Sequence, residues 1–93
     1  MKRRLGVNID HIATLREARK VWYPDPYEAL SVLQACEVDQ VTIHLREDRR
    51  HIQDHDLERI ISANVLSVNL EMAVTAEMVS IASKAKPKMV TFV

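Results

Sequence analysis

Residues 40–52 read QVTIHLREDRRHI, and their pattern decides the fold class. Val41, Ile43 and Leu45 alternate with Thr42, His44 and Arg46, so the first half is a strand with one apolar and one polar face. Residues two apart on a strand lie roughly 6.5–7 Å apart, so His44 and Arg46 point the same way at its C-terminal end. Residues 47–51 form a charged loop that adds Arg49, Arg50 and His51. A proton-transfer group, a fixed cation and a basic loop at one spot suit an anionic, phosphorylated small molecule.

Upstream, residues 5–12 alternate again: Val7, Ile9 and His11 on one face, Asn8 and Asp10 on the other. Residues 13–23, ATLREARKVWY, make a connection longer than the few residues usual between strand and helix. It reads either as a solvated basic turn or as an ordered loop whose Arg19 folds back onto a phosphate. Pro24-Asp25-Pro26 then stops one element and starts another: Asp25 can cap, Pro26 suits a first helical position and Glu28 completes a capping box. The spacing predicts a helix over 26–36 with Ala29, Leu30, Leu33 and Cys36 inside. Cys36 is read as a buried, inert thiol.

Downstream, Asp54 or Asp56 is expected to cap a second helix with Leu57, Ile60 and Ile61 inside and Asn64 near its end. Residues 67–73, SVNLEMA, alternate as a third strand with Val68, Leu70 and Met72 opposite Asn69 and Glu71. Thr75 caps a third helix with Met78, Ile81, Ala82 and Ala85 as its stripe, and residues 89–93 read as a fourth strand. Strand–helix three times over, then a strand, is a parallel α/β pattern with right-handed crossovers.

In a doubly wound open sheet helices cover both faces and strands are apolar on both. Here the first three strands each keep a polar face, with Asn8/Asp10, Thr42/His44/Arg46 and Asn69/Glu71 toward their C-terminal ends. A (β/α)8 TIM barrel accounts for this better, because its inward strand ends line the active site. Four strands with three helices are half of such a barrel, so residues 1–93 are expected to be half of a single domain.

Composition narrows the function classes. Thirteen Lys and Arg balance thirteen Asp and Glu, so no global field favours nucleic acid or an anionic membrane. A single cysteine among 93 residues rules out an intrachain disulfide and fits a reducing compartment, hence a cytoplasmic protein. No apolar run approaches the roughly 20 residues of a membrane span.

Four blocks carry a family resemblance: GVNIDHIATLR at 6–16, YPDP at 23–26, HLREDRRHI at 44–52 and NLEMA at 69–73. Together they resemble the pyridoxine 5′-phosphate synthase family of vitamin B6 biosynthesis. The resemblance implies a (β/α)8 barrel more than twice this long that assembles as a homo-octamer, with residues 1–93 as the amino-terminal half of the domain. It implies condensation of 3-amino-2-oxopropyl phosphate with 1-deoxy-D-xylulose 5-phosphate, giving pyridoxine 5′-phosphate, phosphate and water without metal or organic cofactor. By position, it implies Asn8 and Arg19 on the amino-ketone phosphate, and Asp10, His11, Arg46 and His51 on the deoxyxylulose phosphate. His44 and Glu71 take the acid/base roles. These residue types suit the chemistry: His titrates near neutrality, Glu can be tuned upward by burial, and Arg binds phosphate oxygens in pairs.

Each assignment has a plainer rival. His44 could be a hydrogen-bonded strand-end residue, Asp10 could orient a neighbour, and Arg49 and Arg50 could be a solvated loop. His55 reads as a solvated helix-start residue. Trp22, Tyr23 and Tyr27 read as packing residues. A metal-dependent hydrolase using Asp10, His11, His44 and His51 is disfavoured, since His-x-His and His-Glu-x-x-His spacings are absent. Two classes remain: the amino-terminal part of the synthase, or a non-catalytic half-barrel that binds phosphate weakly and self-associates. The family's glycines are missing at Lys20 and in the ACEVDQ segment at 35–40, which matters if the backbone there needs positive φ.

Overall fold

In the computed structural model, which describes residues 2–93, the stretch that begins at residue 40 forms β2 (Gln40–His44). It pairs in parallel with β1 (Gly6–Asn8) on one side and with β3 (Ser67–Met72) on the other. β3 pairs in parallel with β4 (Met89–Phe92). Spatial order therefore follows chain order, β1-β2-β3-β4. A doubly wound sheet reverses direction at a switch point, whereas a barrel winds one way. The described strands wind one way.

Register sorts the side chains into rows. Val41 lies beside Val68 and Ile43 beside Leu70, so one face is a continuous apolar row. These four are buried, with Leu45 and Met72. Three helices close over it: α2 (Ala29–Ala35), α3 (Asp54–Ala63) and α4 (Ala76–Ala85), contributing Leu30, Leu57, Ile60 and Met78 to the same core. The other row is polar, with Thr42 beside Asn69 and His44 beside Glu71, all only half-buried.

The helix starts follow local chemistry. Asp25 accepts from the Tyr27 N–H at 3.0 Å and opens a 3-10 turn, Pro26–Glu28, that leads into α2. Thr75 accepts from the Met78 N–H at 3.2 Å and caps α4. α3 departs from expectation: Gln53 is its cap residue, Asp54 is already helical, and Asp56 reaches back to accept from the Gln53 N–H at 2.7 Å. Asn64 ends α3 with φ 52°. Cys36 is exposed, not buried, because α2 ends at Ala35 and the thiol falls on the cap outside its inner face.

The larger correction lies at the amino-terminal end. The first strand stops at Asn8, and residues read as further strand and long loop form a fourth helix, α1 (Asp10–Arg19). Asn8 breaks the strand. Its Oδ1 accepts from the Asp10 N–H at 2.8 Å, and its Nδ2 donates to Asp10 Oδ2 at 2.9 Å, a local turn that competes with strand pairing. Asp10 in the first turn and Arg16 and Arg19 in the last suit the helix dipole. Trp22 is also not a packing residue: it is 76% exposed, set edge-on to Tyr23. Tyr27 does pack against the core.

Candidate active site

The polar row ends at the C-terminal ends of β1, β2 and β3, and there the chemistry-bearing side chains collect. Asp10 ties the first two strands together: its Oδ1 accepts from the backbone N–H of His44 at 2.8 Å, while Oδ2 takes the Asn8 amide. With both oxygens engaged and 6% of its surface exposed, the carboxylate is held in one orientation at the helix start. His44 is the last residue of β2, and its register partner on β3 is Glu71. Neighbouring strands lie about 4.8 Å apart, so an imidazole and a carboxylate stand side by side on the polar face.

His51 enters from the loop after β2 and is buried. Its ring centroid lies 6.2 Å from that of His44 and 6.4 Å from that of His11. His51 Nδ1 accepts from the Ile52 N–H at 2.8 Å, which leaves the ring proton on Nε2 in the neutral form. Burial depresses the His51 pKa below 6.5; Asp10 opposes this, and the positive fields of His44, Arg46 and His11 reinforce it. His51 is thus a neutral donor near pH 7. His11, on the first turn of α1, sits on the exposed side with its Nδ1 3.2 Å from Thr14 Oγ1.

Arg46 lies two residues past the end of β2, paired with Asp48 through Nε–Oδ1 at 3.2 Å. That contact comes first among those, with the Arg50 bonds, that hold the exposed Asp48 carboxyl down at about 2. Arg46, Asp48 and Glu47 line an open depression of about 480 Å³ with His44, Ala73 and Val93. Arg49 is held by Asp54 at 2.6 Å and Glu77 at 3.3 Å, so it braces the loop against α3 and α4.

Of the expected residues, Asn8, Asp10, His11, His44, His51 and Glu71 gather at these strand ends, with Arg46 on the rim. Arg19 does not join them. It ends the ten-residue α1, about 13.5 Å along the axis from Asp10, and its guanidinium lies 5.1 Å from the Tyr23 ring centroid. His55 is exposed at the start of α3, as expected.

An ion pair beneath the site escaped sequence reasoning, although one partner, Asp56, was a cap candidate. Arg16 and Asp56, both buried, form a two-pronged ion pair: Nη1–Oδ1 2.8 Å and Nη2–Oδ2 2.7 Å. Arg16 Nη2 also reaches the His51 carbonyl at 3.3 Å. The partners are 40 residues apart in the chain, beyond any spacing rule. The sole signal was an Asp three residues after Gln53, a capping pattern. Among the described residues no cluster of His, Cys, Asp and Glu is arranged to hold a metal ion, and no helix is long and apolar enough to cross a membrane.

Comparison with known proteins agrees with this architecture. The family model described as pyridoxal phosphate biosynthesis protein PdxJ matches residues 5–93. A pyridoxine 5′-phosphate synthase of Sulfurovum sp. is 56% identical over 89 residues, covering 96% of this chain and 34% of the relative. Those of Aquifex aeolicus and Azoarcus sp. are each 54% identical over 90 and 89 residues, covering 97% and 96% of this chain. The chain spans about a third of the length of these relatives: 34%, 37% and 36%. A match over nearly all the described residues, on a one-way parallel sheet with its polar row at the strand ends, places the chain in the PdxJ family of TIM-barrel proteins.

Proposed function

We propose that this chain is the amino-terminal portion of a pyridoxine 5′-phosphate synthase barrel, and that its strand ends bind and turn over two phosphorylated substrates. The observation that carries the reading is the placement of His44 beside Glu71 on adjacent strands, with His51 and Asp10 against His44. The amine of 3-amino-2-oxopropyl phosphate and the ketone of 1-deoxy-D-xylulose 5-phosphate join as an imine with loss of one water, and ring closure then releases phosphate and a second water. Every step moves a proton. His44 and Glu71 act as acid and base, and among the described residues no hydrogen bond engages either side chain. Arg46 supplies a paired donor to a phosphate once it leaves Asp48, and neutral His51 supplies an Nε2–H. Asn8, Asp10 and His11 orient the substrates at the α1 start. Arg19, which here lies over the Tyr23 ring at the far end of α1, serves the amino-ketone phosphate only after its long side chain leaves that ring and swings toward the strand ends. The protein works in the cytoplasm as a homo-oligomer, without metal or organic cofactor, nucleic acid or membrane.

A chimera tests this: the Aquifex aeolicus relative with its matched third replaced by this chain, supplied with both substrates. Pyridoxine 5′-phosphate forms, and His44→Ala or Glu71→Gln lowers kcat by about a hundredfold or more, the scale of a lost acid/base group. A silent chimera beside an active parent defeats the reading.

A second reading, a non-catalytic piece that self-associates, is favoured by one observation. Val90 and Phe92, in register with Leu70 and Met72 on the face that helices cover elsewhere, are 38% and 66% exposed. Sedimentation of the chain alone decides it: a dimer that Phe92→Lys dissolves supports self-association through this face.

A further inference from the structure

The loop that carries His51 is held in an unusual way. The peptide unit between His51 and Ile52 is gripped at both ends. Its carbonyl oxygen accepts from Arg16 Nη2 at 3.3 Å, out of α1, and from Gln53 Nε2 at 3.1 Å, at the start of α3. Its N–H, on Ile52, donates back to the His51 imidazole at Nδ1, 2.8 Å away. A trans peptide is planar, with C=O and N–H pointing in opposite directions, so fixing the oxygen fixes the direction of the N–H. That N–H in turn fixes which ring nitrogen accepts and where the ring points. One donor would satisfy a buried carbonyl; two donors from separate helices define the plane.

Both donors are themselves immobilised. The Arg16 guanidinium is pinned by Asp56 at 2.8 and 2.7 Å and by Glu17 at 2.8 Å. Gln53 is held by its own N–H to Asp56 at 2.7 Å and by its Nε2 to the Arg49 carbonyl at 2.8 Å. Asp56 therefore serves both, and a single buried carboxylate anchors the two arms of the clamp.

We propose that Arg16 and Gln53 are positioning residues that set the tautomer and direction of the His51 imidazole through the 51–52 peptide. Neither touches the ring. Their part in substrate recognition rests on the reading above, because His51 matters to a phosphate only if that site is where the phosphate binds. The effect on the ring does not depend on turnover.

Nitrogen-15 NMR of the histidine rings in the chain separates this role from mere stability. The groups facing His51 are Asp10 and His11 from the α1 start, and His44 and Arg46 from the end of β2. In the unaltered chain His51 shows one Nε2–H tautomer and titrates below 6.5. In Arg16→Lys, which keeps the charge beside Asp56 but shortens the reach to the carbonyl, the two His51 nitrogen shifts move toward each other and its titration midpoint rises. Gln53→Ala, which removes the other arm and leaves the buried ion pair intact, does the same to a smaller degree, and it decides the matter if Arg16→Lys does not fold. A folded Gln53→Ala or Arg16→Lys chain with a lower thermal midpoint but unchanged His51 shifts and titration overturns the proposal. Because no substrate is present, that failure is distinct from a silent chimera.

Discussion

The carboxylate of Asp10 receives the backbone N–H of His44 at 2.8 Å, joining the start of α1 to the end of β2 across 34 residues of chain. This bond closes the ladder between β1 and β2 at the point where the site begins, and with the Asn8 amide on its other oxygen it fixes the direction of the Asp10 carboxylate. Asp10→Ala leaves a partly buried N–H and the Asn8 amide without an acceptor. Bonds to a charged acceptor are worth about 1.5–3 kcal/mol, so a loss of about 2–3 kcal/mol is expected in urea unfolding. Asp10→Asn keeps one oxygen for one of the two donors, and about half that loss follows. Equal losses for the two variants would contradict the assignment.

Acid should unfold the chain in two stages. Burial lowers the His51 pKa below 6.5, so the unfolded chain binds that proton first and stability falls as pH drops below 6.5. For Asp56, burial pushes the carboxyl up, but the Arg16 hydrogen bonds and the Gln53 N–H outweigh it and hold it below 3.8. Its contribution is full above that value and is lost as pH falls through the folded-state pKa. Urea midpoints from neutral pH to pH 3 show both stages. His51→Asn keeps an acceptor near the Nδ1 position and removes the titration, so it flattens the upper stage alone.

The Arg16–Asp56 pair gives a third expectation. Removing one partner of a buried ion pair costs about 3–5 kcal/mol, because the other charge is left in the core. Arg16→Met is therefore close to unfolding the chain. Arg16→Met with Asp56→Asn recovers part of that loss, since the stranded charge is gone. The recovery in a double-mutant cycle of unfolding free energies checks this, and additive losses would contradict it.

Lys20 and Glu37 are non-glycine residues with φ of 55° and 60°. The left-handed region costs an L-residue about 1–2 kcal/mol, against about 0.5–1 kcal/mol of chain entropy for glycine. Both side chains are exposed. Lys20→Gly and Glu37→Gly should each raise stability by about 0.5–1 kcal/mol, read as a higher urea midpoint at constant slope. A destabilised variant would show that these side chains hold something other than a strained turn.

These two positions also mark what could be read from the chain and what could not. The missing glycines pointed to the turns where strain is found, because a backbone demand leaves a local trace. β2, β3 and α4 were legible for a similar reason: each buries apolar side chains at its own period, and Thr75 announces a helix start; β4 was legible from its apolar run alone, since Met89, Val90 and Phe92 stay exposed. α1 hid because the face it buries is Asp10, Ala13 and Arg16, which carries no apolar signal. A helix whose inner face is ionic reads as a loop until its distant partner is known. Cys36 misled because helical spacing was carried one residue past the end of α2. At the site, residue types on strand ends could be read from alternation, but the ties among them run through Asp10, Arg16 and Asp56, whose partners lie 34 and 40 residues away.

The proposed function requires that phosphorylated substrate be met at the C-terminal strand ends. The opposite mouth of the sheet is a genuine competitor, since Arg4, Gly6, Gln40 and Lys88 line a cavity of about 340 Å³ there. Titrating the isotopically labelled chain with 1-deoxy-D-xylulose 5-phosphate into the millimolar range, and following amide and imidazole resonances, separates the two. The shifts are expected to concentrate at Asp10, His11, His44, Arg46 and His51. Shifts at Gly6, Gln40 and Lys88 instead, or none at the five strand-end residues, would contradict it.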